Sequence, residues 1–251
     1  MATTRGSIHD RTVSGPSAGA RTRPWISVVV PALDEGEAIE ATLTALAAAV
    51  RDTGGEIIVV DGGSSDDTVV RARRLADRVL RAPRGRARQM NAGAARATGD
   101  LLWFVHADTI VPPGAGPALR REAARREWGR FDVRLSGRIP VLRIVERLMN
   151  LRSRLTGIAT GDQCIFVRRS AFEAVGGFAD LALMEDLALS RALRVRGRPA
   201  CLRTRVTTSS RRWEERGPWR TIFAMWRLRW SWWRGADSAA LARSYRGPAG
   251  R

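Results

Sequence analysis

Apolar positions in the first half of the chain fall into short continuous runs separated by longer amphipathic stretches. Trp25-Ile26-Ser27-Val28-Val29-Val30-Pro31 is β-branched and unbroken, the pattern of a strand covered on both faces, and it stops at a proline. Ala and Leu positions from about Ala38 to Arg51 predict a helix, which Gly54-Gly55 ends. Glu56 to Asp61 is a second buried strand, and Asp66-Asp67-Thr68 opens the next helix. Val79-Leu80 reads as a brief third strand, Arg86 to Ala97 as a helix stopped by Gly99, and Leu101 to Val105 as a fourth strand. The second half is less regular. Phe131 to Leu135 and Gln163 to Arg168 read as strands, Val141 to Leu155 and Glu185 to Arg196 as helices, and Pro199 to Val206 as an edge strand. No internal repeat is present.

Strands alternating with helices predict an α/β fold with a mostly parallel sheet and helices on both faces. Such sheets bind ligands beyond the carboxyl ends of their strands. Polar residues gather at those predicted ends: Asp34 and Glu35, then Asp61, then His106 and Asp108.

Composition narrows the picture. With 251 residues, 44% of them hydrophobic, the chain can bury the core of one compact domain. Residues 1–24 are rich in Ser, Thr, Gly, Arg and Ala and lack the apolar stretch of a signal peptide, so a disordered leader is expected there. Residues 25–208 hold the alternating pattern, and 209–251 form an Arg- and Trp-rich helical extension and tail. No apolar run nears the ~20 residues that span a bilayer. Cys164 and Cys201 are far apart in sequence, which speaks against a disulfide framework or zinc site and makes a reducing, cytoplasmic compartment the expectation. The formal charge is +18 and every base is arginine. Codon bias accounts for the missing lysine but not for the excess charge, which leaves room for an anionic partner.

Three polar segments carry candidate chemistry, each beside an ordinary structural reading. Asp61-Gly62-Gly63-Ser64-Ser65-Asp66-Asp67-Thr68 lets a ligand approach backbone closely, or is a tight turn with Ser65 or Asp66 as helix cap. His106-Ala107-Asp108 offers ligands to a divalent cation, or is a solvated turn before Pro112-Pro113. Glu185-Asp186 offers a general base, or two acids that favour a helix dipole.

The ordered set is more specific than its parts. Pro31-Ala32-Leu33-Asp34-Glu35, Val60-Asp61-Gly62-Gly63-Ser64-Ser65-Asp66-Asp67-Thr68, Asn91-Ala92-Gly93, Gly99-Asp100, His106-Ala107-Asp108 and Glu185-Asp186 together resemble the family-2 glycosyltransferases of the GT-A (Rossmann-like) fold, over roughly Trp25 to Gly235. Phe104 to Thr109, Gly85 to Asn91, Gly161-Asp162-Gln163 and Met184-Glu185-Asp186 are also similar to a small bacterial branch found with radical-SAM and selenium-linked genes, often labelled arsenosugar biosynthesis glycosyltransferase.

The resemblance implies an inverting transfer of one sugar from a nucleotide-diphosphate donor, of UDP or GDP type, to a hydroxyl acceptor. It implies that Pro31, Ala32, Leu33, Glu35, Asp61, Gly63, Arg88 and Asn91 serve the nucleotide, with Asp61 accepting from the base and Arg88 near the diphosphate. Asp108 and His106 would hold Mn2+ or Mg2+. Asp186, with Glu185 beside it, would be the catalytic base. Asp162, Gln163, Arg212 and Trp213 would face acceptor or diphosphate. His106 stands where the family's metal motif has its first acid, and imidazole suits Mn2+ better than Mg2+. Ser209 stands where processive relatives carry Gln, which favours single transfer.

In the tail, Trp219, Ile222, Phe223, Trp226, Trp230 and Trp233 share one helical stripe, with Arg220, Arg227 and Arg234 along one flank. Such a helix either packs on the core or lies on an anionic membrane surface, which would suit a lipid-linked acceptor and a peripheral place on the inner face of the cell membrane. Two other classes fit less well. A sugar-nucleotide nucleotidyltransferase would want a Gly-rich basic loop after the first strand, where this chain has Leu33-Asp34-Glu35. A nucleic-acid binder would want a basic rim, and this rim is acidic. A relative that binds the nucleotide with little or no transfer is the remaining alternative, raised by His106.

Overall fold

The computed structural model describes residues 24–51 and 54–246, apart from the side chains of Arg212 and Arg246. The expected leader therefore lies outside the described residues, except for Pro24. The elements run β1 (Ile26–Ala32), α1 (Ile39–Val50), β2 (Gly55–Asp61), α2 (Thr68–Ala72), β3 (Arg78–Arg81), α3 (Arg86–Arg96), β4 (Leu101–Phe104), β5 (Thr109–Ile110), α4 (Ala115–Ala123), β6 (Trp128–Leu135), α5 (Pro140–Thr156), β7 (Phe166–Arg168), α6 (Arg169–Ala174), α7 (Glu185–Arg194), β8 (Ala200–Thr208), α8 (Arg211–Arg216), α9 (Pro218–Trp233) and α10 (Ser238–Arg246).

One eight-stranded sheet has the order β3-β2-β1-β4-β7-β6-β8-β5. Its first four strands are parallel. β7 runs antiparallel to both β4 and β6, β6 and β8 pair in parallel, and β5 returns antiparallel on β8. The sheet is mixed and mostly parallel, as expected, and its parallel part is where β1, β2 and β4 end together.

Why those runs become strands is visible in their burial. Alternate residues of β1 and β2 face opposite layers. Val28, Val30, Ile57 and Val59 pack with Ile39, Leu43 and Leu46 of α1. Val29, Ile58 and Val60 pack with Ala87, Met90 and Ala94 of α3. Each fully buried aliphatic side chain contributes about 1.5–3 kcal/mol. Gly93 lets α3 lie close, since a Cβ there would sit 2.4 Å from Val29 Cγ1.

Two expectations are corrected and one is extended. The strand at Gln163 to Arg168 shortens to β7, because Gly161–Gln163 forms a 3-10 turn that Thr160 and Gln163 cap reciprocally, and Cys164 then takes a left-handed conformation (φ 49°). The edge strand expected at Pro199 to Val206 starts at Ala200 and runs two residues further, and β5 pairs only with those two, Thr207 and Thr208. Ile222 leaves the tryptophan stripe, packing against a cluster that includes Leu135, Leu142 and Trp213.

Candidate active site

The carboxyl ends of β1, β2 and β4 lie side by side, Ala32 registered with Asp61 and Val29 with Phe104. The loops that follow are tied to one another. Ser64 Oγ accepts from the Asp34 amide, Asp34 Oδ1 accepts from the Ser65 amide at 2.7 Å, Thr68 Oγ1 accepts from the Glu35 amide, and Asp66 Oδ2 accepts from the Gly36 amide. These bonds hold Leu33, Asp34 and Glu35 on the wall of a cavity of about 1590 Å³. His106 and Asp108, beyond β4, line the same cavity.

The opposite wall comes from the second half. Thr160, Gly161 and Asp162 precede β7, and Glu185 and Asp186 form the first turn of α7, where the helix dipole favours carboxylates. Gly161 joins the two walls. Its amide donates to Asp186 Oδ2 at 2.7 Å, and a Cβ on it would lie 2.5 Å from His106 Nε2. The Leu187 amide donates to Asp186 Oδ1 at 2.7 Å, so both carboxylate oxygens are fixed by backbone. His106 Nδ1 lies 3.5 Å from Asp162 Oδ1.

Arg86, the first residue of α3, projects into this acidic space. Enclosure by the walls lowers its pKa, but Glu185, Asp162, Asp186 and Asp108 outweigh that and raise it. Glu185 is buried, and burial and then the Asp186 charge raise its carboxyl above the usual range. Glu35 is raised for the same kind of reason, first by burial and then by Asp108. A site with four carboxylates around one guanidinium concentrates negative potential where a cation or an arginine must balance it.

The structure brings together Leu33, Glu35, His106, Asp108, Asp162, Glu185, Asp186 and Trp213 from the sequence reading. It does not bring in the others. Pro31 and Ala32 are buried within β1. The Asp61 carboxylate is buried and accepts from the Gly63 and Ser64 amides, so it shapes its own loop, Gly63 included. Arg88 points outward and pairs with Asp180 at 2.8 Å. Asn91 clamps Phe178 backbone, donating to its carbonyl and accepting from its amide. Gln163 is buried in the turn cap. The Arg212 side chain lies outside the described residues. Residues missed by the sequence reading are Arg84, Arg86, Arg152, Arg211 and Arg229. Arg86 could have been found, because two helical steps of 100° put it and Arg88 on nearly opposite faces.

Among the described residues no group of three His, Cys, Asp or Glu side chains is arranged to hold a metal ion alone. Asp108 and His106 remain a carboxylate and an imidazole at one strand end, a partial donor set that fits a divalent cation whose other ligands come from a diphosphate.

Comparison with known proteins shows the family and the fold. The family model described as Glycosyl transferase family 2 matches residues 27–176, more than half of the chain. A glucosyl-3-phosphoglycerate synthase of Mycolicibacterium paratuberculosis is 37% identical over 104 residues, which is 37% of this chain and 31% of that protein. The chain thus aligns with about a third of the length of the curated relatives it matches. Two solved structures share the fold. One is the glucosyl-3-phosphoglycerate synthase of Mycobacterium tuberculosis in complex with Mn2+, UDP and glucosyl-3-phosphoglycerate, with TM-score 0.58 and 24% identity over 79% of this chain and 77% of that one. The other is the mannosyltransferase PcManGT of Pyrobaculum calidifontis with GDP-Man and Mn2+, with TM-score 0.59 and 23% identity over 84% of this chain and 62% of that one.

Proposed function

The chain belongs to glycosyl transferase family 2, and from that premise we propose that it moves one sugar from a nucleoside diphosphate to an acceptor hydroxyl with inversion. The observation that carries this reading is the single cavity in which Asp108 and His106 of one wall face Glu185 and Asp186 of the other, with Arg86 between them.

Each residue has a role that its position supports. Leu33, Asp34 and Glu35 form the donor wall. Arg86 balances charge on the leaving diphosphate from a position that faces Glu185, Asp162, Asp186 and Asp108. Asp186, held at both oxygens, accepts the proton of the acceptor hydroxyl as that oxygen attacks the anomeric carbon from the face opposite the diphosphate. Glu185, whose carboxyl is raised first by burial and then by the Asp186 charge, lies beside Asp186 and faces Arg86. A divalent cation held by Asp108, with His106 as second donor, would add Lewis-acid stabilisation of the departing phosphates. The imidazole favours Mn2+ in that place, and the two fold relatives named above carry Mn2+.

The helical extension supports a peripheral membrane site and a lipid-linked acceptor. α9 packs inward through Thr221 and Leu228, while Trp219, Phe223, Trp226, Trp230 and Trp233 are each at least 60% exposed. Exposed Leu148, Leu151 and Leu155 extend the apolar surface on α5. Arg220 and Arg234 are exposed beside the tryptophans, the arrangement that anionic headgroups favour. No helix among the described residues is long and apolar enough to cross a membrane. The inner face of the cell membrane, and the branch found with radical-SAM and selenium-linked genes, complete this reading.

The test is a panel of UDP- and GDP-sugars with Mn2+, reading release of nucleoside diphosphate. Release from one donor, lost in Asp108→Asn and Asp186→Asn, supports transfer. Binding of donors without release in any acceptor extract reduces the protein to a nucleotide-sugar binder.

A further inference from the structure

The cavity has a second basic pole that the donor chemistry does not use. Arg152 on α5 and Arg229 on α9 both line it. Nε and one terminal nitrogen of Arg152, and Nε of Arg229, are closed to solvent and have no hydrogen-bond partner among the described residues. Buried N–H donors are nearly always satisfied, so three unsatisfied guanidinium nitrogens in one cavity are an exception that calls for a missing acceptor. Other arginines of the fold do not share this state. Arg130, fully buried, bonds Ser153, the carbonyls of Phe131 and Asn150, and Asp132.

Nearby carboxylates do not offset the burial of the pair. Burial first, and then the charge of Arg229, pull the Arg152 pKa down to about 10, while Asp186 is the one carboxylate that opposes the fall. Arg229 is lowered by burial and supported by Asp186 and Asp162. Both remain cations at neutral pH. Asp186 is shared with Arg86, so the available negative charge is divided among three guanidiniums.

The apolar lining assigns an anion here to the acceptor. Arg152 and Arg229 line the same cavity as Leu148, Met149, Trp226 and Trp230, and of these Leu148, Trp226 and Trp230 belong to the exposed apolar face of α5 and α9. We propose that Arg152 and Arg229 form an anion subsite that grips the phosphate headgroup of an amphiphilic acceptor, whose apolar part leaves between α5 and α9. The forked guanidinium suits phosphate oxygens, and the dianion would satisfy the orphaned donors and the excess positive charge together. The assignment of this anion to an acceptor rests on the transferase reading; the anion subsite itself does not.

The test is calorimetric titration of the full chain with dodecyl phosphate below its micellar concentration and with glycerol phosphate. Each titration is run with and without saturating UDP and Mn2+, which occupy the donor side. Dodecyl phosphate should bind in both conditions and more tightly than glycerol phosphate. Arg152→Gln and Arg229→Gln should each weaken it at least about tenfold, leave UDP affinity unchanged, and leave the melting temperature of the unliganded protein level or higher, because an unpaired buried charge is gone. Arg125→Gln, exposed and outside the cavity lining, should change nothing. Unchanged dodecyl phosphate affinity in both variants overturns the proposal, as does a fall in melting temperature with anion binding intact. Equal affinity for the two phosphates overturns its amphiphile half. Dodecyl phosphate binding that needs both arginines, in a protein that binds neither UDP nor GDP with Mn2+, would uphold the subsite and sink the transferase reading.

Discussion

The Gly161 amide donates to Asp186 Oδ2 at 2.7 Å, while the same glycine leaves no room for a methyl group against the His106 ring. One small residue thus fixes the proposed base and sets its distance from the metal-side histidine. Gly161→Ala would place a Cβ 2.5 Å from His106 Nε2 and 2.7 Å from Cε1. Relief requires the ring or the turn to shift. A stability loss of about 1–3 kcal/mol is expected from the overpacking, with turnover down about tenfold or more as positioning is lost. Thermal melts and steady-state rates of the variant check this; a wild-type profile in both would show that the junction is slack.

Asp186→Asn keeps the shape of the side chain but cannot take a proton at neutral pH. Turnover should fall at least about 10²-fold, with donor affinity nearly unchanged. The amide group also turns an N–H toward either Gly161 or Leu187, so a stability cost of about 1–3 kcal/mol accompanies it. The kcat and KM of the purified variant decide the point. An increase in donor KM with kcat intact would move Asp186 from proton transfer to binding.

Arg86 and Arg88 sit two residues apart and should behave as opposites. Arg86→Gln removes the cation that faces Glu185, Asp162, Asp186 and Asp108, and donor affinity should drop about tenfold or more. Arg88→Gln breaks only the exposed pair with Asp180 and should leave turnover as it was. Parallel rate measurements on the two variants test the assignment.

Glu185 makes a pH prediction. Burial, followed by Asp186, raises its pKa in the folded protein above that of the unfolded chain. Proton uptake therefore favours the folded state. This stabilisation is complete below the unfolded pKa and is lost as pH rises through the raised folded value. Glu185→Gln should raise the melting temperature at pH 7, and the gain should shrink toward zero as pH falls to about 4. Calorimetric scans across that range check the sign. A gain that grows on acidification would contradict it.

The fold's first half was readable because β1, β2 and β4 are covered on both faces, and such strands appear as unbroken apolar runs. The second half hid its elements for identifiable reasons. β6 begins at Trp128, but Arg130 and Asp132 inside it are buried and paired with each other, so the strand looks like an exposed surface. Pro117 inside α4 reads as a breaker, yet it falls in the first turn, where the missing N–H costs nothing. At the site, strand-end residues such as Asp108 were legible because topology alone places them on the rim. Asp61 and Asn91, expected to serve the nucleotide, bond backbone of the protein itself, and an acid or amide next to glycines looks the same in sequence for either role. Arg152 and Arg229 could not be chosen from a chain whose bases are all arginine, since only the folded structure shows their guanidinium nitrogens buried without acceptors.

The central claim is that Asp108, Arg86 and Asp186 share one cavity that takes a nucleoside diphosphate together with a cation, to which Asp108 and His106 offer a partial donor set. Calorimetric titration of UDP and GDP, each with and without Mn2+, addresses it directly. One nucleotide should bind tightly only when Mn2+ is present, Mn2+ alone should bind weakly, and Asp108→Asn should erase the metal dependence. Tight Mn2+ binding without nucleotide, or nucleotide affinity indifferent to both Mn2+ and Asp108, would contradict the account.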